Sequence, residues 1–579
     1  MTADPPSGNA APVLSVLVNH VGYDDGRFIR AVVQVRGDAD VPETAVLRDS
    51  GGRVVAKVAG GPATAVPGWR DRRFRVFELT LPDGGPYVME ASSDSLHAVS
   101  APFSVGPGRE ASLISDLLAG LSAVRSSGSS DEADRRVPFF GGRPGTVDVH
   151  GGWYDASGDT SKYLSHLSYA NVMNPQQTPL VVWALLDALE HLEAGSFALG
   201  PRLALRFREE AAWGADFLVR MQDPEGYFYT TVFDRWSKDL EARRICAFRG
   251  QSGQMSADYA AGYRQGGGMA VAALARAAAL GLDLGDYGPD RYRRAAESGW
   301  RHLEEHGTEY LDDRKENIID DTCALMAAVE LEALGVQGAG QAAGIRVESL
   351  IGRWDSQAHC FRADAAGDWS WFHASDEALP LVALMRALEV PAVPPESAEA
   401  IRSLIPRVFD AELARAGAVA NPFIHPRRHI RMPTSPPRDA FFYPHDNPSG
   451  YWWQGENARL ASWAAAARRW TGMAAESAPP DLERFAAAQV SWILGMNPFD
   501  ACMLKGRGRN NPDYEWDHFN LPGGVSNGIT SGMDDEADIA FRPPEAEGRG
   551  DHTWRWGEQW LPHAAWLLLA VSRSVRGSA

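Results

Sequence analysis

Thirteen residues from Gly151 to Tyr163, GGWYDASGDTSKY, hold two aspartates, three glycines and three aromatics. Asp155 and Asp159 stand close together on a stretch too rich in glycine for a regular helix. Two carboxylates a few ångströms apart resist joint ionisation, so one of such a pair titrates high. A fold tolerates that most readily where a proton has to be moved. The same residues also suit a surface Asp/Gly turn or a calcium loop. Taken alone, the segment leaves these readings open.

The bulk composition narrows the partners. The chain has 579 residues, 45% hydrophobic and 23% charged, with a net charge of −19 from 56 basic and 75 acidic side chains. Nucleic acid is excluded as an expected partner, because phosphate binding draws on clustered Lys and Arg. Nineteen Trp, 15 Tyr and 22 Phe favour a carbohydrate ligand, since flat aromatic faces stack on sugar rings and cations. Four scattered cysteines, Cys246, Cys323, Cys360 and Cys502, form no CxxC pair, which removes zinc-finger spacing and a disulfide framework. The opening MTADPPSGNAAPVLSVLVNHVGYD has no basic n-region and no apolar run of leader length. No stretch approaches the roughly 18 apolar residues of a membrane span. These features predict a cytoplasmic protein without a membrane partner; they do not address oligomeric state.

The elements that must carry the aspartates fall into two grammars. Residues 1–12 are rich in Pro and Ala, with Gly and Asp among them, and read as a disordered lead-in. Over 13–107, short alternating runs such as AVVQVRG, TAVLRD, RVVAKVAG, RFRVFELTL and PYVMEAS, broken by Gly, Asp and Pro, predict a small β-sandwich. From Ala111 the apolar spacing turns helical, in TPLVVWALLDALEHLEA, YWWQGENARLASWAAAARRW, GEQWLPHAAWLLLAVSRSV and others. Roughly a dozen helices are expected by this reading, and alternating short and long connections point to a closed double ring of helix hairpins over 108–579.

Several segments, in chain order, resemble glycoside hydrolases of family 9. DVHGGWYDASGDTSKY resembles their Gly-Gly-Trp-x-Asp-Ala-Gly-Asp signature, and NHVGYDDGRFIRAVV resembles the start of the immunoglobulin-like domain that often precedes their catalytic domain. AAWGADFLVRMQDPEGYFY, VSWILGMNPFDACMLKGRGRNNPDYEWDHFNLPGG and WRWGEQWLPHAAWLLLAV are similar to successive parts of that domain. The resemblance implies a mainly α fold, an (α/α)6 barrel behind a small immunoglobulin-like β-sandwich. It further implies cofactor-free cleavage of β-1,4-linked sugars with inversion. Inversion needs one carboxylic acid to protonate the leaving oxygen and one carboxylate to deprotonate a water. By the resemblance, Asp159 is the base and Asp155 its helper. Glu558, beside Gly557 at the start of an apolar helix and amid Trp554, Trp556 and Trp560, is the candidate acid, because apolar surroundings keep a carboxyl protonated.

Three departures bear on specificity. Ser157 lengthens the aspartate loop by one residue, YEWDHFN offers only His518 where the family often has paired histidines, and the usual Asn-Glu reads Gly557-Glu558. The loop with YLSHLSYANVMNPQQTP is similar to a divergent branch that includes exo-β-D-glucosaminidases, so removal of glucosamine from oligosaccharides is expected. Asp155 or Glu456 would then meet the substrate ammonium. A β-1,4-endoglucanase and a silent glycan-binding protein are the alternatives; a phosphorylase would need an anion site, for which Lys162 is the one nearby cation in the motif. Candidate substrate-binding residues are Trp153, Tyr154, His373, Asp376, His445, Asp446, Trp452, Trp453, Glu456, His518 and Trp556. No metal ligand set is expected, although MDDEAD (533–538) is acidic enough to hold a structural calcium.

Overall fold

The computed structural model describes residues 11–574, apart from 27, 167–170, 196–198, 251, 391–392, 448, 450, 475–477, 480, 516–517, 547–549 and the side chains of 550–551. The lead-in expected at 1–12 falls mostly on residues 1–10, outside the described ones.

Among the described residues, eight strands occupy the N-terminal part: β1 (Val13–Leu17), β2 (Ile29–Arg36), β3 (Thr44–Arg48), β4 (Val54–Ala59), β5 (Arg72–Leu79), β6 (Gly84–Ser92), β7 (His97–Val99) and β8 (Phe103–Val105). They form two antiparallel sheets, β1-β2-β5 and β4-β3-β6-β7, with β8 on β6. Side-chain alternation along a strand explains how they are used. Ala31, Val33 and Val35 of β2 pack with Leu47 and Met89 of the other sheet. Val32, on the opposite face, joins the core of the helical region with Leu17, Phe74 and Trp69. Both faces of β2 are therefore buried, which is why AVVQV reads as nearly continuous apolar sequence. Polar contacts fix the same junction: the Gln34 amide donates to Pro498 O at 2.9 Å and His20 meets Asp500 at 2.9 Å.

Fourteen α-helices follow among the described residues: α1 (Ile114–Ala123), α2 (Gly128–Ala133), α3 (Thr178–Ala194), α4 (Pro201–Arg220), α5 (Gly268–Ala279), α6 (Pro289–His306), α7 (Ile318–Ala333), α8 (Ala339–Gly352), α9 (Leu379–Glu389), α10 (Pro395–Gly417), α11 (Asn457–Met473), α12 (Leu482–Ile493), α13 (Gly550–Gly557) and α14 (Leu561–Ser572). α3 packs on α5, α5 on α7, α7 on α9, α9 on α11, α11 on α14, and α14 returns to α3. Each of these six has an outer neighbour: α4, α6, α8, α10, α12 and, for α14, α1. The sequence distinguishes the two sets. α6 buries only Tyr292, Ala295, Ala296, Gly299, Trp300 and Leu303, a single stripe at helical spacing. α7 buries every residue from Ile318 to Leu331, as a helix enclosed on all sides must.

The six inner helices also share buried charges. Asp187 of α3 pairs with Arg276 of α5, Arg469 of α11 and Arg573 just after α14. Glu330 of α7 pairs with Arg276 and with Arg386 of α9. Burial alone would raise the Glu330 carboxyl, but the two guanidinium groups hold it down at about 2.

The structure departs from the expected grammar in two places. The helix read from Tyr451 begins at Asn457, leaving Tyr451–Glu456 as irregular chain. The region expected to be helical also contains an antiparallel sheet of Lys162–Tyr163, Thr231–Phe233, Arg244–Arg249 and Gln254–Ser256. Its strands are too short, and the longest, Arg244–Arg249, too continuously buried, to show a period of two. The acidic run 533–538 serves the junction with the strands: Asp535 pairs with Arg70, Asp538 with Arg72 at 3.7 Å, and Glu536 with Arg438. Among the described residues, no group of three or more His, Cys, Asp or Glu is placed to hold a metal ion, and no helix is long and apolar enough to cross a membrane.

Candidate active site

The glycines of the aspartate segment are required by its path. Gly151, Gly152 and Gly158 have φ of +83°, +73° and +80°, a region L-residues avoid. A Cβ on Gly152 would lie 2.7 Å from the Phe217 ring, and one on Gly158 2.2 Å from the His518 ring. Buried charges then pin the loop. The Lys162 ammonium donates to the carbonyls of Val149 and Gly151, both at 2.8 Å, and pairs with Asp134 at 2.7 Å. Asp134 also takes Arg243, and Asp234 accepts the hydroxyls of Thr160 (2.5 Å) and Ser161 (3.1 Å).

Lys162 is fully buried and so offers no free cation for a substrate anion, which leaves the phosphorylase reading without its anion site. Its role is to hold the loop. Lys162→Met is expected to lower unfolding free energy by about 3–5 kcal/mol, because removing one partner strands buried charge and two carbonyls. Urea denaturation measures this; a loss below about 1 kcal/mol contradicts the anchoring role.

Asp155, Asp159 and Glu558 line one cavity of about 460 Å³. Asp155 is buried, with Oδ2 3.9 Å from His166 Nε2 and Oδ1 without a protein partner. Burial, reinforced by the charge of Asp159, pushes its carboxyl well above the usual range. Asp159 is half-buried, and its Oδ1 accepts the backbone N–H groups of Thr160 (2.6 Å) and Ser161 (3.0 Å). Burial lowers His166 to about 4, so its ring is neutral. Glu558 sits between α13 and α14, half-buried; burial pushes its carboxyl up to about 8, with Asp159 adding to the rise and Asn527 opposing it.

Asn527 orients this glutamate. Its backbone N–H donates to Glu558 O at 2.7 Å and its side-chain amide to Glu558 Oε2 at 3.3 Å. The Asn527 Oδ1 faces His563 Nε2 at 2.8 Å. Burial holds His563 at about 3, hence neutral, so Nε2 carries the proton and fixes which way the amide points. Sequence reasoning missed Asn527 and His563, which lie in separate segments that the fold alone brings together.

The rest of the wall is aromatic: Trp236, Phe248, Tyr451, Trp452, Tyr514, Trp554 and Trp560, with Gln454, His166 and His518 between them. Of the expected binding residues, Trp452 and His518 are there. The others lie elsewhere, each for a visible reason. Trp153 is buried and donates to Glu210 at 2.7 Å, while the Tyr154 hydroxyl sits against the backbone of Ser127. His373 Nδ1 accepts the N–H groups of Ser375 and Asp376, and Asp376 itself accepts Gln176 N–H and Trp566 Nε1–H; both residues organise the approach to α9 and α3. Trp453 is clamped between the His445 ring at 3.8 Å and the Arg555 guanidinium at 3.9 Å, with His445 turned to Ser531. Asp446 is exposed outside the cavity. Glu456 is buried against Arg428 and Arg459 and takes the Tyr443 N–H, so it is no ammonium receptor. Trp556 is buried and donates to Thr530 at 2.9 Å.

An aromatic-walled cavity with three carboxylates, mounted on a closed succession of helices, is the equipment of a glycoside hydrolase. Residues 123–519, more than two-thirds of the chain, match the profile of glycosyl hydrolase family 9. The chain belongs to that family and is a glycoside hydrolase. A search of curated proteins gives no match. Among solved structures, a metagenome-derived glycoside hydrolase family 9 endoglucanase is similar over 96% of this chain and 98% of its own, with 18% identity and a TM-score of 0.67. A GH9 protein of Bacteroides ovatus covers the same shares at 16% identity and a TM-score of 0.64. At these identities the likeness speaks for the fold.

Proposed function

We propose that the protein hydrolyses β-1,4-linked gluco-oligosaccharides with inversion, Glu558 acting as general acid and Asp159 as general base. The observation that carries this is one cavity holding a carboxyl pushed up to about 8 beside a pair of close aspartates. Glu558 is protonated at neutral pH and gives its proton to the leaving oxygen. Asp159 removes a proton from water as the water attacks the anomeric carbon. Burial beside Asp159 biases Asp155 toward its protonated form, in which it orients that water or Asp159. The six inner helices with outer partners support an (α/α)6 barrel over 108–579, and the two packed sheets support an immunoglobulin-like sandwich over 13–107.

The sugar follows from where the charges went. Glu456 is neutralised by two arginines away from the cavity, and Asp155 favours its neutral form. Neither stands free for a 2-ammonium group, so neutral glucosyl units are the favoured substrate, in accord with the endoglucanase among the similar structures. Proton NMR of the first product from cellotetraose tests the reaction: the α-anomer is expected, and a β-anomer removes the inverting assignment. Comparing kcat/KM for cellotetraose and the glucosamine tetramer tests the sugar. Preference for the glucosamine series overturns the neutral-sugar assignment and restores the exo-glucosaminidase reading.

A further inference from the structure

Ser157 is the extra residue of the aspartate loop, and its hydrogen bonds lead to Glu558 from both sides. Its backbone N–H donates to Gln559 O at 2.8 Å, and its hydroxyl accepts the Gln559 N–H at 2.9 Å. The same hydroxyl donates to Asn520 Oδ1 at 3.2 Å, while the Asn520 amide donates to Gly557 O at 2.7 Å. Residues 557 and 559, which flank the acid, are thus tied to one side chain lying between Asp155 and Asp159. The serine is buried at 3% exposure, and a bridge between Ala156 and Trp560 continues the tie. A hydroxyl offers one donor and two acceptors; here a donor and an acceptor are both spent on the acid's frame.

We propose that Ser157 is a positioning residue that sets Glu558 relative to the two aspartates. This rests on the acid role proposed above. Base and acid work in one transition state, and small misplacements of a reacting group are expensive in rate. A loop without the hydroxyl would let the 557–559 segment settle against the aspartates differently, while the wall residues on other segments, Trp236, Phe248 and Trp452, keep their places.

The test uses the full-length protein, an unactivated tetrasaccharide (cellotetraose or the glucosamine tetramer, whichever the wild type cleaves) and the matching 2,4-dinitrophenyl β-glycoside. Ser157→Ala is expected to lower kcat on the tetrasaccharide about tenfold, with KM within about twofold. On the dinitrophenyl glycoside, whose leaving group needs no proton, the loss should stay below about threefold. Ser157→Thr, which restores a hydroxyl, should recover most of the loss. Should Ser157→Ala not fold, Ser157→Cys fills the space with a weak acceptor and should show the same pattern. Equal loss on both substrates, a change confined to KM, or an unchanged kcat overturns the proposal. Glu558→Gln separates it from the acid assignment. Leaving-group dependence in Glu558→Gln but not in Ser157→Ala removes only the role of Ser157, whereas its absence from Glu558→Gln removes the acid itself.

Discussion

Glu558→Gln is expected to lower kcat on an unactivated β-linked oligosaccharide by about 10²–10⁴-fold, the usual worth of a positioned proton donor, and to keep most turnover of a 2,4-dinitrophenyl glycoside, if Glu558 is the acid of the proposed reaction. The reason is the protonation of Glu558. Burial pushes its carboxyl up to about 8, so kcat/KM of the wild type should fall above that pH as the proton is lost. The variant has no such proton and should lack this alkaline limb. Stability responds to the same proton. Between the ordinary glutamate value of 4.5 and about 8, the unfolded chain releases this proton while the folded chain keeps it. The unfolded state then binds fewer protons, and stability falls as pH rises through that window. Glu558→Gln removes the titration, so the variant should melt above the wild type at pH 8 and alongside it at pH 4. A pH profile of activity and a pH series of thermal melts decide both halves. An alkaline limb that persists in the variant would assign it to another group.

How much of this was legible before folding depends on whether the signal was local. The aspartate loop was legible because its three left-handed glycines and two carboxylates lie within thirteen residues. Glu558 stood out as an acid among tryptophans ahead of an apolar helix. Which aromatics face sugar was not legible. Trp452 and Trp453 are adjacent in irregular chain, yet one lines the cavity while the other is held by His445 and Arg555. Phe248 reaches the cavity from the small sheet and Trp236 from the turn after its Thr231–Phe233 strand, a register that appears only once that strand has paired with Arg244 to Cys246. Buried polar side chains were the hardest. Glu456 reads as a spare acid until Arg428 and Arg459 close on it. Asn527 reads as a loop residue until His563, 36 positions later, turns its amide toward Glu558. The inner helices were recognised as helical but carry no stripe to show their neighbours, since they are buried all round.

Asp159→Ala should cost more than any change at Asp155. Asp159 is the base of the proposed reaction, and its removal leaves no group to take the proton from the attacking water. A loss of about 10³–10⁴-fold in kcat is expected on every substrate, dinitrophenyl glycosides included, because base assistance is needed whatever the leaving group. Asp155→Asn should lose only about 10–100-fold, since Asp155 favours its neutral form and an amide keeps a neutral donor there. Space opened by Asp159→Ala also admits a small anion that needs no deprotonation. Azide would attack the anomeric carbon in place of water while Glu558 still protonates the departing oxygen. The product from a β-linked substrate would be the α-glycosyl azide, identifiable by proton NMR, and its rate should rise with azide concentration. The Glu558→Gln variant should show no azide-dependent gain on an unactivated substrate, because nothing there protonates the leaving group. A β-azide would mean that the anion attacks from the face the base was not guarding. Azide rescue in Glu558→Gln but not in Asp159→Ala would exchange the two roles and place the nucleophilic water beneath Glu558.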